Sequence, residues 1–164
     1  IYLEIFLKQL VDFLEVDNLK NKKLGIFIFV FLALVLGSFA SSNTADDIWY
    51  KGLEKSSLNP PGYVFGIVWP ILYLFISIAA YRVYESIIKI FFVQLFFNTI
   101  WSWLFFAFHL PLIALFDILI LIFLNIRILF LLNKEDKLST FLYLPYLIWL
   151  IFASYLNLYI VINN

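Results

Sequence analysis

Five apolar runs dominate this chain: Leu24–Ala40, Tyr63–Tyr84, Ile87–Phe108, Leu112–Leu132 and Leu138–Ile162. A helix that crosses a bilayer needs roughly 20 predominantly apolar residues, fewer where polar flanks can snorkel. Each run meets that requirement or comes close to it. A water-soluble core could not hide them all, because a chain of 164 residues has too little interior for a composition that is 65% hydrophobic and 21% aromatic. Lipid must therefore be the solvent. The expected fold class is an all-α integral membrane protein, a bundle of five transmembrane helices with a long first extramembrane loop. The charges balance at 11 Lys+Arg against 11 Asp+Glu, so no basic surface remains for nucleic acid. With no Cys, disulfides and thiolate metal sites are excluded.

The breaks between runs fall at Ser41–Gly62, Glu85-Ser86, His109–Pro111 and Asn133–Lys137. Three are short, which makes consecutive helices antiparallel neighbours. The first is long, and long loops in compact bundles are usually lids or binding loops. In an alternating five-span topology Lys8, Lys20, Lys22, Lys23, Arg82, Lys89, Arg127, Lys134 and Lys137 all fall on one side, and only Lys51 and Lys55 on the other. The positive-inside rule then predicts the N-terminus inside and the C-terminus outside, with the first loop facing out. Residues 1–23 read as an amphipathic extension, with Glu4, Lys8, Asp12 and Glu15 at helical spacing among apolar residues, and residues 24–164 as the five-helix domain. Because the chain starts at Ile1 and contains no Met, an incomplete or processed N-terminus is expected.

In hydrocarbon, the residues that are not simply apolar carry the chemistry. Asn59 is a candidate N-cap for the second span, with Pro60-Pro61 in its first turn, where a missing N–H costs nothing. Gly62 and Gly66 permit close approach, and Pro70, beside Trp69, removes a helix hydrogen bond. The fifth span repeats the design: Pro145, Trp149, Ala153 and Asn157 recur every four residues on one face. Two tryptophans on two proline-containing helices are suited to holding a flat hydrophobic ligand by stacking. The bland alternative has the small residues packing helices and the indoles facing lipid. Asn98 and Asp117 lie within otherwise apolar runs, and Asp117 is either a structural hydrogen-bonder or a pocket group. His109, the only histidine, reads as a solvated interfacial residue, with axial ligation of haem as the weaker alternative. Trp49-Tyr50 begin either an interfacial helix or the apolar underside of a lid. No metal-ligand cluster, nucleophile–base pair or phosphate-cradling loop occurs in the sequence.

Several of these segments together resemble the TspO, or translocator protein (peripheral benzodiazepine receptor, TspO/MBR), family across nearly all of Leu24–Asn164. The resemblance rests on Trp49-Tyr50 with Leu53-Glu54-Lys55, on Asn59-Pro60-Pro61-Gly62 and on Phe65-Gly66-Ile67-Val68-Trp69 with Ile71-Leu72-Tyr73. It continues through Asn98 with Trp101-Ser102, Leu104-Phe105-Phe106, His109 and Asp117, and through Pro145-Tyr146-Leu147-Ile148-Trp149 with Phe152-Ala153 and Leu156-Asn157. It implies a five-helix bundle, commonly a homodimer, that binds porphyrins, isoquinoline carboxamides and, in animals, cholesterol. By position, Trp69 and Trp149 would flank the ligand, with Ala153 beside it, Asn98 on the floor, and Pro61 and Tyr50 contributed from the loop side. Some members degrade protoporphyrin in light, which would give Trp69 and Trp149 a catalytic part.

Three departures stand out. Ser56-Ser57-Leu58 replaces the usual Pro-Ser-aromatic and implies a looser lid. Trp103 occupies a frequent proline position. No Lys or Arg follows Tyr155 or Tyr159 in the cholesterol pattern, which leaves cholesterol the least supported inherited ligand. The leading expectation is a membrane protein that binds a porphyrin or similar flat molecule as sensor, scavenger or transporter, in a bacterial cytoplasmic or an organelle membrane. It requires no cofactor, and porphyrin or haem enters only as ligand. The alternatives are light-dependent porphyrin breakdown and a non-catalytic packing subunit.

Overall fold

The computed structural model describes the chain from Asn18 to Asn164 with its side chains. Ahead of these residues only the helical course of α1 is described, so the amphipathic reading of the first 17 residues lies outside the described ones. Helix α1, Tyr2–Ser41, is followed by a short helix, α2 (Ile48–Gly52), in the first loop. Then come α3 (Gly62–Arg82), α4 (Tyr84–Ser102), α5 (Pro111–Glu135) and α6 (Lys137–Asn163). Helix α4 ends in a π-helical turn at Trp103–Ala107. Five segments, Asn18–Ser41, Gly62–Arg82, Tyr84–Ala107, Pro111–Glu135 and Lys137–Asn163, are long and apolar enough to cross a membrane. The protein is an integral membrane bundle, and its outer surface carries phenylalanine, leucine and isoleucine as lipid-facing side chains require.

The bundle packs α6 against α3 and α5, α4 against α5 and α1, and α1 against α3. Between α1 and α4 the approach is close at Gly37, where an added Cβ would lie 3.3 Å from Ser102 Oγ. The main core runs through Ile76, Ile87, Phe91, Ile118, Ile128, Tyr143, Tyr146 and Leu150.

Three helix boundaries differ from the sequence reading, and the first of them is the α3–α4 break, which falls at Val83 while Glu85-Ser86 lie in the first turn of α4. Helix α3 begins at Gly62, not in the Pro60-Pro61 pair: Pro61 itself caps the helix with extended backbone (ψ 146°), and Asn59 turns its amide onto the Pro60 carbonyl at 3.2 Å. A residue before proline is disfavoured in the α region, which keeps Pro60 out of the helix and delays its start. The break between α5 and α6 shrinks to one residue, Asp136. Its N–H bonds the Leu132 carbonyl (2.8 Å), and its carboxylate accepts from the Leu138 and Ser139 amides and from Ser139 Oγ (2.5 Å). Arg82 Nε donates to the same carboxylate at 2.7 Å, tying the end of α3 to this corner. These bonds, with that from Arg82 foremost, hold the Asp136 carboxyl well below the usual carboxylate range.

Candidate functional site

The aromatic centre of the bundle is built from one face of α3 and one of α6. Trp69 and Trp149 meet directly, ring centroids 6.5 Å apart and planes at 87°. Phe65 and Phe152 flank Trp149, and Tyr73 and Tyr146 flank Trp69. Edge-to-face contact is the favourable arrangement for such rings. It also means that a flat ligand held between the two indoles would have to part them, or else stack on the faces they turn away from each other. Pro70 and Pro145 both lie inside continuous helices, Pro70 exposed and Pro145 half-buried. A Cβ built on Gly62 or Gly66 would meet open space. Ala153 is buried one turn beyond Trp149, and Asn157 one turn further.

Below the indoles runs a chain of buried polar side chains that the sequence reading passed over except for Asn98. Tyr73 donates to Asn98 Oδ1, Asn98 Nδ2 donates to the Tyr146 hydroxyl at 2.7 Å, and that hydroxyl donates to Gln94 Oε1 at 2.9 Å. Gln94 Oε1 also lies 3.5 Å from Asn125 Nδ2, and Tyr143 donates to Asn125 Oδ1 at 2.6 Å. The chain thus links α3, α4, α5 and α6 through the middle of the core. Gln94 and Asn98 are one turn apart in α4, and amides in hydrocarbon need partners. That spacing was the available signal, with Asn125 and the Tyr143–Tyr146 pair as its other half.

Asn98 therefore spends its amide on two tyrosines. Asn157 is a structural tie: it accepts from Trp101 Nε1 (3.3 Å) and donates to the Pro111 carbonyl (2.8 Å) at the start of α5. Asp117 is 6% exposed, and its Oδ2 has no hydrogen-bond partner among the described residues. The other orphaned buried atoms are Gln94 Nε2 and Trp149 Nε1. Three unpaired polar atoms stand out in an interior whose remaining amides and phenols are satisfied.

The first loop folds as a strap across one end of the bundle. Asp47 caps α2, accepting from the amides of Trp49 (2.8 Å) and Tyr50 (3.3 Å). Its other oxygen meets His109 Nε2 at 2.8 Å, and the His109 ring stacks on Trp49 with centroids 4.3 Å apart. His109 is thus a clasp for the strap, a role the sequence did not suggest. The π-helical turn delivers it: Phe108 N–H bonds the Trp103 carbonyl five residues back, and His109 follows with φ at +56°. Partial desolvation pushes the Asp47 carboxyl up, but the bonds from His109 and the two amides outweigh it and hold Asp47 below its ordinary value. The strap's underside rests Trp49 on Phe105 and Tyr50 on Phe106. Lys55 crosses the Tyr50 ring at 4.4 Å and donates to the carbonyls of Tyr50 and Leu53. The far side is tied by Glu54 to Asn164 (2.8 and 3.2 Å) and by buried Ser56 to the Tyr155 hydroxyl (2.9 Å). Ser56, where the family pattern is broken, is one of the strap's anchors. Pro61 is exposed at the head of α3. Trp101 joins the cluster under the strap to the main core, stacking on Phe105 at 5.5 Å.

No group of three His, Cys, Asp or Glu side chains able to hold a metal occurs among the described residues. The bundle interior offers flat aromatic faces at Trp69 and Trp149, and Trp149 Nε1 and Asp117 Oδ2 lack partners among the described residues.

Comparison with known proteins agrees with the residues. The TspO/MBR family model matches residues 26–162. A tryptophan-rich protein TspO from Archaeoglobus fulgidus is 37% identical over 144 residues, covering 82% of this chain and 94% of the relative. A tryptophan-rich sensory protein from Cereibacter sphaeroides is 33% identical over 116 residues, covering 68% and 73%. The human translocator protein is 30% identical over 139 residues, covering 77% and 82%. With five spanning helices, the paired tryptophans and a match along nearly the whole bundle, the chain belongs to the TspO/MBR family.

Proposed function

We propose that this protein binds a tetrapyrrole or a similarly flat, apolar molecule with polar edges, and acts through that binding as a sensor, scavenger or transporter. The observation that carries the reading is the cluster of aromatic faces around Trp69 and Trp149, in which the buried Trp149 Nε1 has no partner; Asp117 Oδ2 is a further unpartnered atom of the same bundle interior. A buried donor and a buried acceptor without partners are costly, about 1–3 kcal/mol each. A ligand that supplies an acceptor to the indole removes its cost on binding. Protoporphyrin carries propionate oxygens at the edge of an otherwise apolar disc, so the disc suits the aromatic faces and a propionate can accept from Trp149 Nε1. Pro61 and Tyr50 would contribute from the strap side, Asn98 and Ala153 from below and beside. The Cereibacter sphaeroides relative, named a tryptophan-rich sensory protein, fits a role in which occupancy is the signal. The distribution of Lys and Arg supports an N-terminus inside and the strap outside.

A second reading, light-driven breakdown of the bound porphyrin, is favoured by one feature. Trp69, Trp149, Tyr73 and Tyr146 form an unbroken series of oxidisable rings with centroid spacings of 5.7–6.5 Å. Titrating purified protein with protoporphyrin while following tryptophan quenching tests binding. Trp69→Phe with Trp149→Phe is expected to weaken affinity by about tenfold or more, the loss of one hydrogen bond and two aromatic contacts. Unchanged affinity in that double variant would remove the site from this cluster. Light-dependent product formed equally fast by the double variant would eliminate the second reading alone.

A further inference from the structure

Arg127 breaks a rule of membrane interiors. Charged side chains inside a span usually face the bundle or a water-filled cavity, yet Arg127 is exposed on the lipid-facing side of α5. It lies eight residues before the end of the helix at Glu135, about 12 Å into the span at 1.5 Å per residue. Two turns further on, on the same face, stands Lys134, also exposed. Phe130 and Leu131 fill the face between them, and the four side chains line a groove of about 250 Å³. Phe116, Phe123 and Phe130, each more than 60% exposed, continue up the helix from this point. At about 100° per residue, all three lie within roughly 60° of Arg127.

We propose that this face of α5 is a binding site for one anionic phospholipid. Arg127 and Lys134 hold the headgroup phosphate from two sides, and an acyl chain lies along the Phe130–Phe123–Phe116 stripe. A cation inside a span is stabilised by an anion that meets it, and the described residues supply none. Among the described residues no ion pair joins Arg127 or Lys134 to a carboxylate. Asp136 is taken by Arg82, and Lys137 bonds Asn133. A second copy of the chain is a poor source as well, because the carboxylates of residues 18–164 sit at the helix ends or in the loops, apart from buried Asp117. A lipid phosphate is the anion that reaches this level from the membrane itself. Arginine suits the role because its planar fork binds phosphate through two N–H groups at once. Arg82, Lys89 and Lys137 stand at the same end of the bundle and draw anionic headgroups to that leaflet.

The test is native mass spectrometry of the full chain released from micelles doped with equal phosphatidylglycerol and phosphatidylcholine. Both lipids carry a phosphate, so the comparison separates a net-anionic headgroup from phosphate alone. The wild type is expected to retain phosphatidylglycerol in preference to phosphatidylcholine. Arg127→Gln and Lys134→Gln should each lower that retention about fivefold, and Arg127→Lys should lower it less. Lys134, at the helix end, can be changed without disturbing insertion and so carries the test if Arg127→Gln fails to fold. Equal retention of the two lipids, or phosphatidylglycerol held undiminished by the double Gln variant, would overturn the proposal. So would full displacement by millimolar glycerol phosphate, which would make the site one for a soluble anion. Loss of a dimer in Arg127→Gln would assign the face to a second copy instead. Protoporphyrin affinity is expected to be unchanged in these variants, so this test fails or succeeds independently of the proposed pocket.

Discussion

Through the middle of the core, the buried polar groups answer one another: Tyr143 to Asn125, Asn125 to Gln94, Gln94 to Tyr146, Tyr146 to Asn98 and Asn98 to Tyr73. Beside the aromatic rings, Trp149 Nε1 is buried without a partner, and Asp117 Oδ2 on α5 likewise has none among the described residues. One region uses amides and phenols to lock four helices in register. The other leaves an indole donor open beside a wall of aromatic rings. Polar residues in a membrane bundle are costly in both places, so the difference between paired and unpaired separates holding the fold from holding a ligand. Gln94 Nε2, the one orphan on the locked side, belongs to a side chain whose oxygen is already doubly engaged.

The comparison can be broken by substitution. Asn98→Ala strips partners from two buried phenols and leaves a small cavity. It is expected to destabilise the bundle by about 2–4 kcal/mol in reversible unfolding from mixed micelles. Tyr143→Phe removes a single bond in the same chain and should cost about 1 kcal/mol, with protoporphyrin affinity unaltered. Trp149→Phe reverses the pattern, reducing affinity while stability moves by less than about 1 kcal/mol, because the indole N–H it deletes was unpaired. If Tyr143→Phe weakens ligand binding as much as Trp149→Phe does, the two regions are not distinct.

The smallest effects belong to the strap. Asp47→Ala removes both the cap of α2 and the His109 bond, and amide exchange over Ile48–Gly52 should become several-fold faster while the spans stay protected. The same contact has a pH signature. Asp47 is held below its ordinary value in the folded strap, so its contribution is complete above the unfolded carboxyl pKa of about 3.9 and is lost as pH falls through the lower folded value. Asp136 behaves alike at the opposite end. Exchange in α2 that is indifferent to acid would mean that Trp49 and Tyr50 hold the strap by apolar packing alone.

The spans were legible in the sequence because hydrocarbon thickness demands long apolar runs, and the last four observed helices depart from the expected ones by a few residues at each end, whereas α1 runs on continuously from Tyr2. Those departures have local causes: the double proline that postpones α3, and Asp136 serving two helices at once. The Trp69 and Trp149 faces were also legible, since four-residue spacing survives in any straight helix. Their edge-to-face contact was not, because the distance between two helices is set by tertiary packing. The His109 clasp was hidden for a similar reason. It needs a π-helical turn, which arises where Trp103–Ala107 wind past α5 and which no residue pattern announces. The polar chain was readable in principle from Gln94, Asn98 and Asn125, but tyrosines in an aromatic-rich chain do not declare which of them are hydrogen-bonded.

The central claim is that the Trp149 indole N–H is kept free for a ligand. Nitrogen-15 labelling of the five tryptophans, with Trp149→Phe to assign its signal, allows each indole N–H to be followed as protoporphyrin is added. The account predicts that the Trp149 resonance moves downfield as its hydrogen bond forms, while that of Trp101, already bonded to Asn157, stays in place. Movement confined to Trp49 and Trp103 with Trp149 unmoved would contradict it.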